Sequence, residues 1–429
     1  MRDWVKILLA VGGGAAIALT IALPIVLTGG DDDVEVPEDP GAQRFPETNF
    51  VKFDDLWTGK LSRKSFGYGF SKVNPDNYIC TSDGHYYSRP IDKYNIDTNT
   101  AKYSDCTDGS EKLTKDGYST WRKSLDPVSC SLSADEKRVF CYNNYMKQWR
   151  HSFYADYYVY DIEAEKEVTA LSNLKQAQYC GWSPAGHNLV CVDNDKNIHV
   201  SNGAGDGWVE VTNDGGWCDK ETRILGVEYG GKDETKCIYN GVPDWNYEEE
   251  MISTTNTIFW SPDGTKFAFV SFDVSGIEKL EYSVYPEHLK AGSPNEIDQN
   301  SFEQYPRLNL IRYAKAGGTI AKTKLYVYDL ETKAKKEINE IKQDGTADLT
   351  FDMGVGTSQE NRWFTRFAWS PNSEWFVSVW TSRAATQSKA LACKADGSGC
   401  KPAGREDGGV TVSYFILYFD IFTISGYLE

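Results

Sequence analysis

The sequence predicts an all-β fold, an incomplete β-propeller of about five four-stranded blades behind one N-terminal transmembrane helix. A recurring unit is the first observation. Cys180-Gly181-Trp182-Ser183-Pro184-Ala185-Gly186 returns as Ile258-Phe259-Trp260-Ser261-Pro262-Asp263-Gly264 and as Phe367-Ala368-Trp369-Ser370-Pro371-Asn372-Ser373, with a decayed copy at Cys130-Ser131-Leu132-Ser133-Ala134-Asp135-Glu136. Pro and Asp or Asn followed by Gly is turn chemistry, so each unit reads as strand, tight turn, strand. The second observation is spacing: Trp182 follows Leu132 by 50 residues, close to one four-stranded blade. The third is that helical periodicity is nearly absent outside the N-terminal segment.

Residues 1–6 form a short basic tail and residues 7–28 the spanning segment. The stretch from Ile7 to Gly30 carries no charge. At 1.5 Å per residue it is long enough for the roughly 30 Å hydrocarbon layer. Arg2 and Lys6 precede it and an acidic stalk, residues 29–48, follows. The positive-inside rule leaves the N-terminus cytoplasmic and the remainder extracellular, a single-pass type II plasma-membrane topology. The competing reading is a cleaved signal peptide and a secreted chain, but such apolar regions usually span only about 7–15 residues.

Residues 49–402 form the partial propeller. Each repeated turn leads into a run with strand character: Val139–Tyr142, Leu189–Val192, Phe267–Phe272 and Trp375–Trp380. Tyr157–Ile162, Asn197–Val200 and Leu325–Leu330 read as outer strands. The interval of 78 residues to Trp260 reads as one blade with an insertion, and the interval of 109 to Trp369 as two blades. Within the latter, the polar stretch 281–318 is rich in Tyr, Pro and Lys. Residues 403–429 form a divergent tail whose apolar run from Val410 to Phe419 has no evident partner strand, so the chain reads as a shortened form.

A net charge of -17 argues against nucleic acid, whose phosphates demand a basic face. Ten cysteines in an exported chain point to disulfides. Cys130 and Cys141 are 11 residues apart, as are Cys180 and Cys191, at the same positions of two repeat units. With a turn at Pro184–His187, residue 183 faces 188 and Cys180 faces Cys191, which suits cross-strand bridges Cys130–Cys141 and Cys180–Cys191. Ile258 and Phe269 occupy the equivalent places of a third unit. No Cys-x-x-Cys occurs and the five histidines are scattered, so neither metal nor cofactor is expected.

The functional signal is Asp244-Trp245-Asn246-Tyr247-Glu248-Glu249-Glu250-Met251. Three adjacent carboxylates repel one another unless water or a cation neutralises them. In a helical turn Glu249 and Glu250 project about 100° apart, enough to flank one small cation. A peptide's α-ammonium is such a group. Taken alone, the run reads as a solvated acidic surface.

Its company changes that reading. Lys147-Gln148-Trp149-Arg150-His151-Ser152, Tyr157-Tyr158-Val159-Tyr160-Asp161-Ile162, the Trp-Ser-Pro turns and Asp244-Trp245-Asn246-Tyr247-Glu248-Glu249-Glu250 together resemble the dipeptidyl peptidase IV family, which includes fibroblast activation protein. The likeness is collinear from about Lys147 to Gly318, and looser from about Phe50 to Cys400. It implies that Glu249 and Glu250 bind the free N-terminal ammonium of a peptide, while Arg150 contacts the carbonyl of the second residue and braces the acids. It assigns no amine contact to Glu248. The three residues are expected to converge from loops or insertions of adjacent blades. The resemblance further implies a serine exopeptidase releasing N-terminal X-Pro or X-Ala dipeptides, an arm at 281–318 that reaches a second subunit, and a short disulfide Cys393–Cys400. Cys80–Cys106 and Cys218–Cys237 then follow by elimination.

No Ser here has Gly both two before and two after it, so the nucleophile elbow of a serine hydrolase is missing from this sequence. His85, His151, His187, His199 and His288 lie in loop or turn contexts, and no catalytic residue is assigned. The chain by itself is expected to be inactive. The alternative is a non-catalytic, membrane-anchored binding or channel-auxiliary relative of the same family.

Overall fold

The computed structural model describes residues 69–90, 106–107, 109–201, 207–218, 236–284, 306–338 and 362–407, all within the compact unit Phe66–Glu429. The expected spanning segment 7–28, the stalk 29–48 and residues 408–429 lie outside the described residues. Among the described residues no helix is long and apolar enough to cross a membrane.

The fold is nearly all-β, a series of antiparallel sheets built in chain order. The first sheet is β1 (Gly69–Phe70), β2 (Asn77–Ser82), β3 (His85–Pro90) and β4 (Glu111–Lys112). The second is β5 (Ser129–Leu132), β6 (Arg138–Lys147), β7 (Phe153–Asp161) and β8 (Lys166–Glu167). The third is β9 (Tyr179–Trp182), β10 (Leu189–Val192), β11 (Ile198–Ser201) and β12 (Trp208–Glu210). The fourth contains β13 (Ile238–Asn240), β14 (Ile258–Trp260), β15 (Lys266–Asp273), β18 (Lys322–Asp329) and β19 (Lys335–Glu337), with a hairpin of β16 (Lys279–Val284) and β17 (Arg307–Arg312) inserted. The fifth is β20 (Arg362–Trp369), β21 (Trp375–Ser382), β22 (Gln387–Lys394) and β23 (Lys401–Asp407).

The repeated turns explain the repeated hairpins. Ser261 Oγ donates to Asp263 Oδ1 at 2.6 Å and accepts from the Lys266 amide at 3.0 Å, so one hydroxyl holds both sides of the turn. Gly264 closes it at φ +69°, where an L side chain is strained. Ser370, Asn372 and Trp375 repeat these bonds, as do Ser133, Asp135 and Arg138. The Trp of the unit then joins neighbouring sheets. Trp182 Nε1 donates to the Ser131 carbonyl at 3.0 Å and Trp369 Nε1 to that of Phe259 at 2.9 Å. Between sheets lie the apolar clusters: Tyr86, Tyr118 and Val139 between the first two, Phe140, Tyr157 and Leu189 between the next two, and a larger core centred on Phe267, Phe269, Phe364 and Phe376.

Several expectations change. The interval from Trp260 to Trp369 holds, among the described residues, the rest of one sheet and the β16–β17 hairpin rather than two blades. Most of the 281–318 arm beyond that hairpin base, residues 285–305, lies outside the described residues. The strands read as outer, β7, β11 and β18, are third strands, each with a short fourth strand paired outside it. A helix that periodicity did not reveal, α1 (Asp116–Leu125), covers the first two sheets. Only Tyr118, Trp121 and Leu125 face inward, too sparse a stripe to stand out. The last strand, β23, continues past residue 402 to Asp407 because β22 offers a full-length edge.

The five bridges are Cys80–Cys106, Cys130–Cys141, Cys180–Cys191, Cys218–Cys237 and Cys393–Cys400. Cys130 faces Cys141 and Cys180 faces Cys191 across the first two strands of their sheets, with Cα atoms 4.1 Å apart in both pairs. Ile258 faces Phe269 at the same register, an apolar pair in place of a bridge. Replacing Cys180 and Cys191 together by Ala should lower unfolding free energy by about 2–3 kcal/mol, the chain-entropy value for so short a loop. Urea denaturation of the oxidised proteins measures it.

Candidate functional site

Two irregularities of the sheets create the site. The first edge of the fourth sheet is split: β13 and β14 pair with the two halves of the same edge of β15, and residues 241–257 bulge out between them. Gly241, at φ +72°, starts the excursion, and a Cβ there would meet Ile258 at 3.0 Å. Its carbonyl accepts the Thr257 amide at 2.8 Å and its own amide donates to the Val270 carbonyl at 2.9 Å, so the insertion's ends are pinned together. The second irregularity is the β6–β7 hairpin. Only its first half pairs with β5, and the overhang carries the turn 148–152, closed by the Gln148 amide donating to the Ser152 carbonyl at 2.9 Å.

Within the insertion, Tyr247–Met251 forms a π-helical turn, with the Ile252 amide donating to the Tyr247 carbonyl at 3.0 Å. The α-like turn assumed for the acids is therefore too tight. Such wide turns are rare and frequently lie at functional sites. Tyr247 anchors it: the ring is fully buried, and its hydroxyl accepts the Phe364 amide at 2.9 Å. Asn246 holds the other flank, its Oδ1 accepting the Ala314 amide at 2.9 Å. That bond needs an N–H at position 314, which every residue but proline supplies.

The turn 148–152 closes on the acids. Arg150 and Glu249, 99 residues apart in sequence, meet twice: the Arg150 amide donates to Glu249 Oε1 at 2.8 Å and its Nε pairs with Oε2 at 2.9 Å. The arginine side chain stays 69% exposed while that of Glu249 is only 7% exposed, so the guanidinium lies over the carboxylate as its outer wall. Glu248 is fully buried, and its Oε1 accepts the amides of His151 at 2.9 Å and Ser152 at 2.8 Å. Three successive amides thus aim at two carboxylates, a backbone nest for negative charge. Glu250, the next residue, is exposed and borders a recess of about 430 Å³ lined also by Met251, Ile320, Trp363 and Arg383.

The structure therefore brings Arg150 onto Glu249, while Glu250, the next residue in the chain, lines a recess whose other walls include neither of them. The adjacent-blade expectation fails: Arg150 belongs to the second sheet and the acids to the fourth, with the whole third sheet intervening in the chain. The overhanging hairpin and the bulged insertion make up that separation. Sequence reasoning passed over Glu248, the buried brace, and Asp244. Burial pushes the Asp244 carboxyl up to about 7, although the Tyr247 amide bonds to it at 3.4 Å. Burial also raises Glu248, against the pull of the Ser152 and His151 amides. Asp244 Oδ2 and Glu248 Oε2 find no donor among the described residues. A charge run reads as solvated by default, so no sequence signal separated these buried members from Glu249 and Glu250. Among the described residues no group of three His, Cys, Asp or Glu side chains could hold a metal ion.

Comparison with known proteins was informative. Residues 133–409 match the family described as the dipeptidyl peptidase IV (DPP IV) N-terminal region. The chain is 29% identical over 330 residues to dipeptidyl peptidase 4 of Sus scrofa, covering 76% of this chain and 35% of that one. It is 28% identical over 338 residues to prolyl endopeptidase FAP of Homo sapiens, covering 77% and 35%. It spans about a third of the length of these relatives. In fold it is similar to the crystal structure of Porphyromonas gingivalis dipeptidyl peptidase 4, with a TM-score of 0.55 at 18% identity over 84% of this chain and 42% of that one.

The buried acids make stability depend on pH. Asp244 titrates near 3.8 when unfolded and about 7 when folded, so between those values the native state holds a proton the unfolded chain has lost. Its contribution is full below about pH 4 and declines as pH rises through about 7. Asn in its place still accepts the Tyr247 amide and never ionises. Asp244→Asn should make the loss of stability from pH 4 to 7 shallower, read as urea midpoint against pH.

Proposed function

Because this chain belongs to the dipeptidyl peptidase IV N-terminal-region family, we propose that it is the substrate-recognition propeller of a dipeptidyl peptidase IV-like exopeptidase and binds the free N-terminus of peptides. The sheets are the blades. Glu249 and Glu250 receive the α-ammonium, and Arg150, already held on Glu249, turns its remaining donors to the carbonyl of the second residue. Its guanidinium suits this because several N–H groups project at fixed geometry. Anchoring the amine sets how far along the peptide the scissile bond lies, which suits release of X-Pro or X-Ala dipeptides by a catalytic serine outside this chain. Membrane anchoring through residues 7–28 and dimer contact through 281–318 belong to the same reading. The observation that carries it is the double contact of Arg150 with Glu249 beside an exposed second acid.

Mutation of the acids tests it. In the 429-residue chain, Ala-Pro should bind weakly and lose affinity with added salt, since the site is open to solvent. N-acetyl-Ala-Pro should not bind. Glu249→Ala or Glu250→Ala in the complete peptidase should remove about 2–5 kcal/mol of transition-state binding for an X-Pro substrate, as loss of one partner of a desolvated charge pair does. Unchanged kcat/KM in both variants would remove the ammonium clamp from the mechanism.

A further inference from the structure

We propose that Lys196, a buried lysine in the third sheet, is a positioning residue for the peptide-amine site, acting through a directional amide relay to the turn that carries Arg150; this rests on the recognition reading above. Lys196 occupies the turn between β10 and β11 at φ +63° and is 1% exposed. Its ammonium lies 3.8 Å from the centre of the Trp217 ring, 5.0 Å from that of Tyr154 and 5.2 Å from that of Tyr239. Three aromatic faces thus surround one charge, a favourable cation–π setting that desolvation strengthens. Tyr154 and Trp217 also stack at 5.7 Å, with Met146 of β6 against them, so the cage is packed onto the base of the Arg150 hairpin.

The polar contacts run the same way. Lys196 Nζ donates to Tyr154 Oη at 2.7 Å and to Gln178 Oε1. Gln178 is itself buried, and its Nε2 donates to Gln148 Oε1 at 2.8 Å. Gln148 opens the turn whose next residues, Arg150, His151 and Ser152, give their amides to Glu249 and Glu248. An ammonium can only donate. It therefore fixes which end of Gln178 faces it, and that leaves the amide NH2 for Gln148. A neutral or donor-less side chain at 196 sets no such direction: Gln178 could turn over and present an oxygen to the Gln148 oxygen. Lysine thus keeps the relay pointing toward the turn, and the turn keeps the three amides aimed at the acids. The third sheet, which among the described residues gives no hydrogen bond or ion pair to Arg150 or Glu249, becomes the support that holds the pair.

The test uses the whole chain and two readouts. One is affinity for Ala-Pro. The other is hydrogen exchange of the His151 and Ser152 amides, referenced to Leu391 and Cys393 of β22, which lie in the fifth sheet and report global opening. Lys196→Met keeps the length of the stem and removes the charge and donors. Gln148→Leu breaks the relay while leaving the cage intact, and Gln148→Glu keeps the acceptor. Lys196→Met and Gln148→Leu should each lose about tenfold in protection at His151 and Ser152 relative to β22, and about tenfold in affinity. The pair combined should lose little more than either alone, and Gln148→Glu should retain protection. Unchanged relative protection in Gln148→Leu and Lys196→Met, or fully additive losses, overturns the relay whatever the affinity does. If Glu249→Ala abolishes dipeptide binding while Lys196→Met leaves it intact, the positioning role is overturned and the amine site stands. If Lys196→Met loses protection but Glu249→Ala leaves binding unchanged, the relay stands and the amine site falls.

Discussion

The site depends on one requirement: two neighbouring carboxylates withdrawn from water must be met by donors, and those donors come from a distant strand pair. Glu248 and Glu249 receive three consecutive amides and one guanidinium N–H from the turn 148–152. Without them the insertion 241–257 would expose its acids to one another at a distance where like charges repel. The contacts also work in reverse, since the overhang of β6 and β7, joined to residues 174–177 by the Ala155–Ala177 bridge and the Tyr157 amide, is held in addition by the acids it meets. The proposed recognition chemistry and tertiary closure therefore share the same bonds.

Burial sorts the four acids into roles. Asp244 and Glu248 are enclosed and pushed toward the protonated state, and they serve the backbone around them. Glu249 is covered by Arg150 but keeps an edge at the surface, and Glu250 faces the recess. The outer pair, Glu249 and Glu250, is the one proposed to meet an incoming ammonium. The π-helical turn from Tyr247 to Met251 permits this division by widening the step between successive acids. Tyr247, wedged between Phe272 and Trp363, keeps the wide turn from relaxing.

Much of this was legible in the sequence where chemistry is local. The Ser-Pro-Asp-Gly turns fix register by bonds within six residues, so the facing of Cys180 with Cys191 and of Ile258 with Phe269 could be counted out by hand. The Arg150 and acidic motifs announced their partnership through their company in the chain. What stayed hidden is non-local. The first sheet lacks a Trp-Ser-Pro turn, and α1 shows only three inward residues. The splitting of the fourth sheet's first edge at Gly241 leaves no periodic trace. Nor could a run of three glutamates disclose that its first member is buried, because that follows from amides 96 and 97 residues away. The third sheet's position between the two halves of the site, and Lys196 within it, likewise appear only when the sheets are assembled.

The central claim is that this pocket of acids recognises a charged α-amine, and titration of the ligand tests it most directly. A dipeptide's amine loses its proton near pH 8. Calorimetric affinity for Ala-Pro between pH 6.5 and 9.5 should be level below about 8 and then fall about tenfold per pH unit as the ammonium disappears. Affinity that stays level through pH 9.5, or that is matched by the N-acetylated dipeptide, would contradict the account.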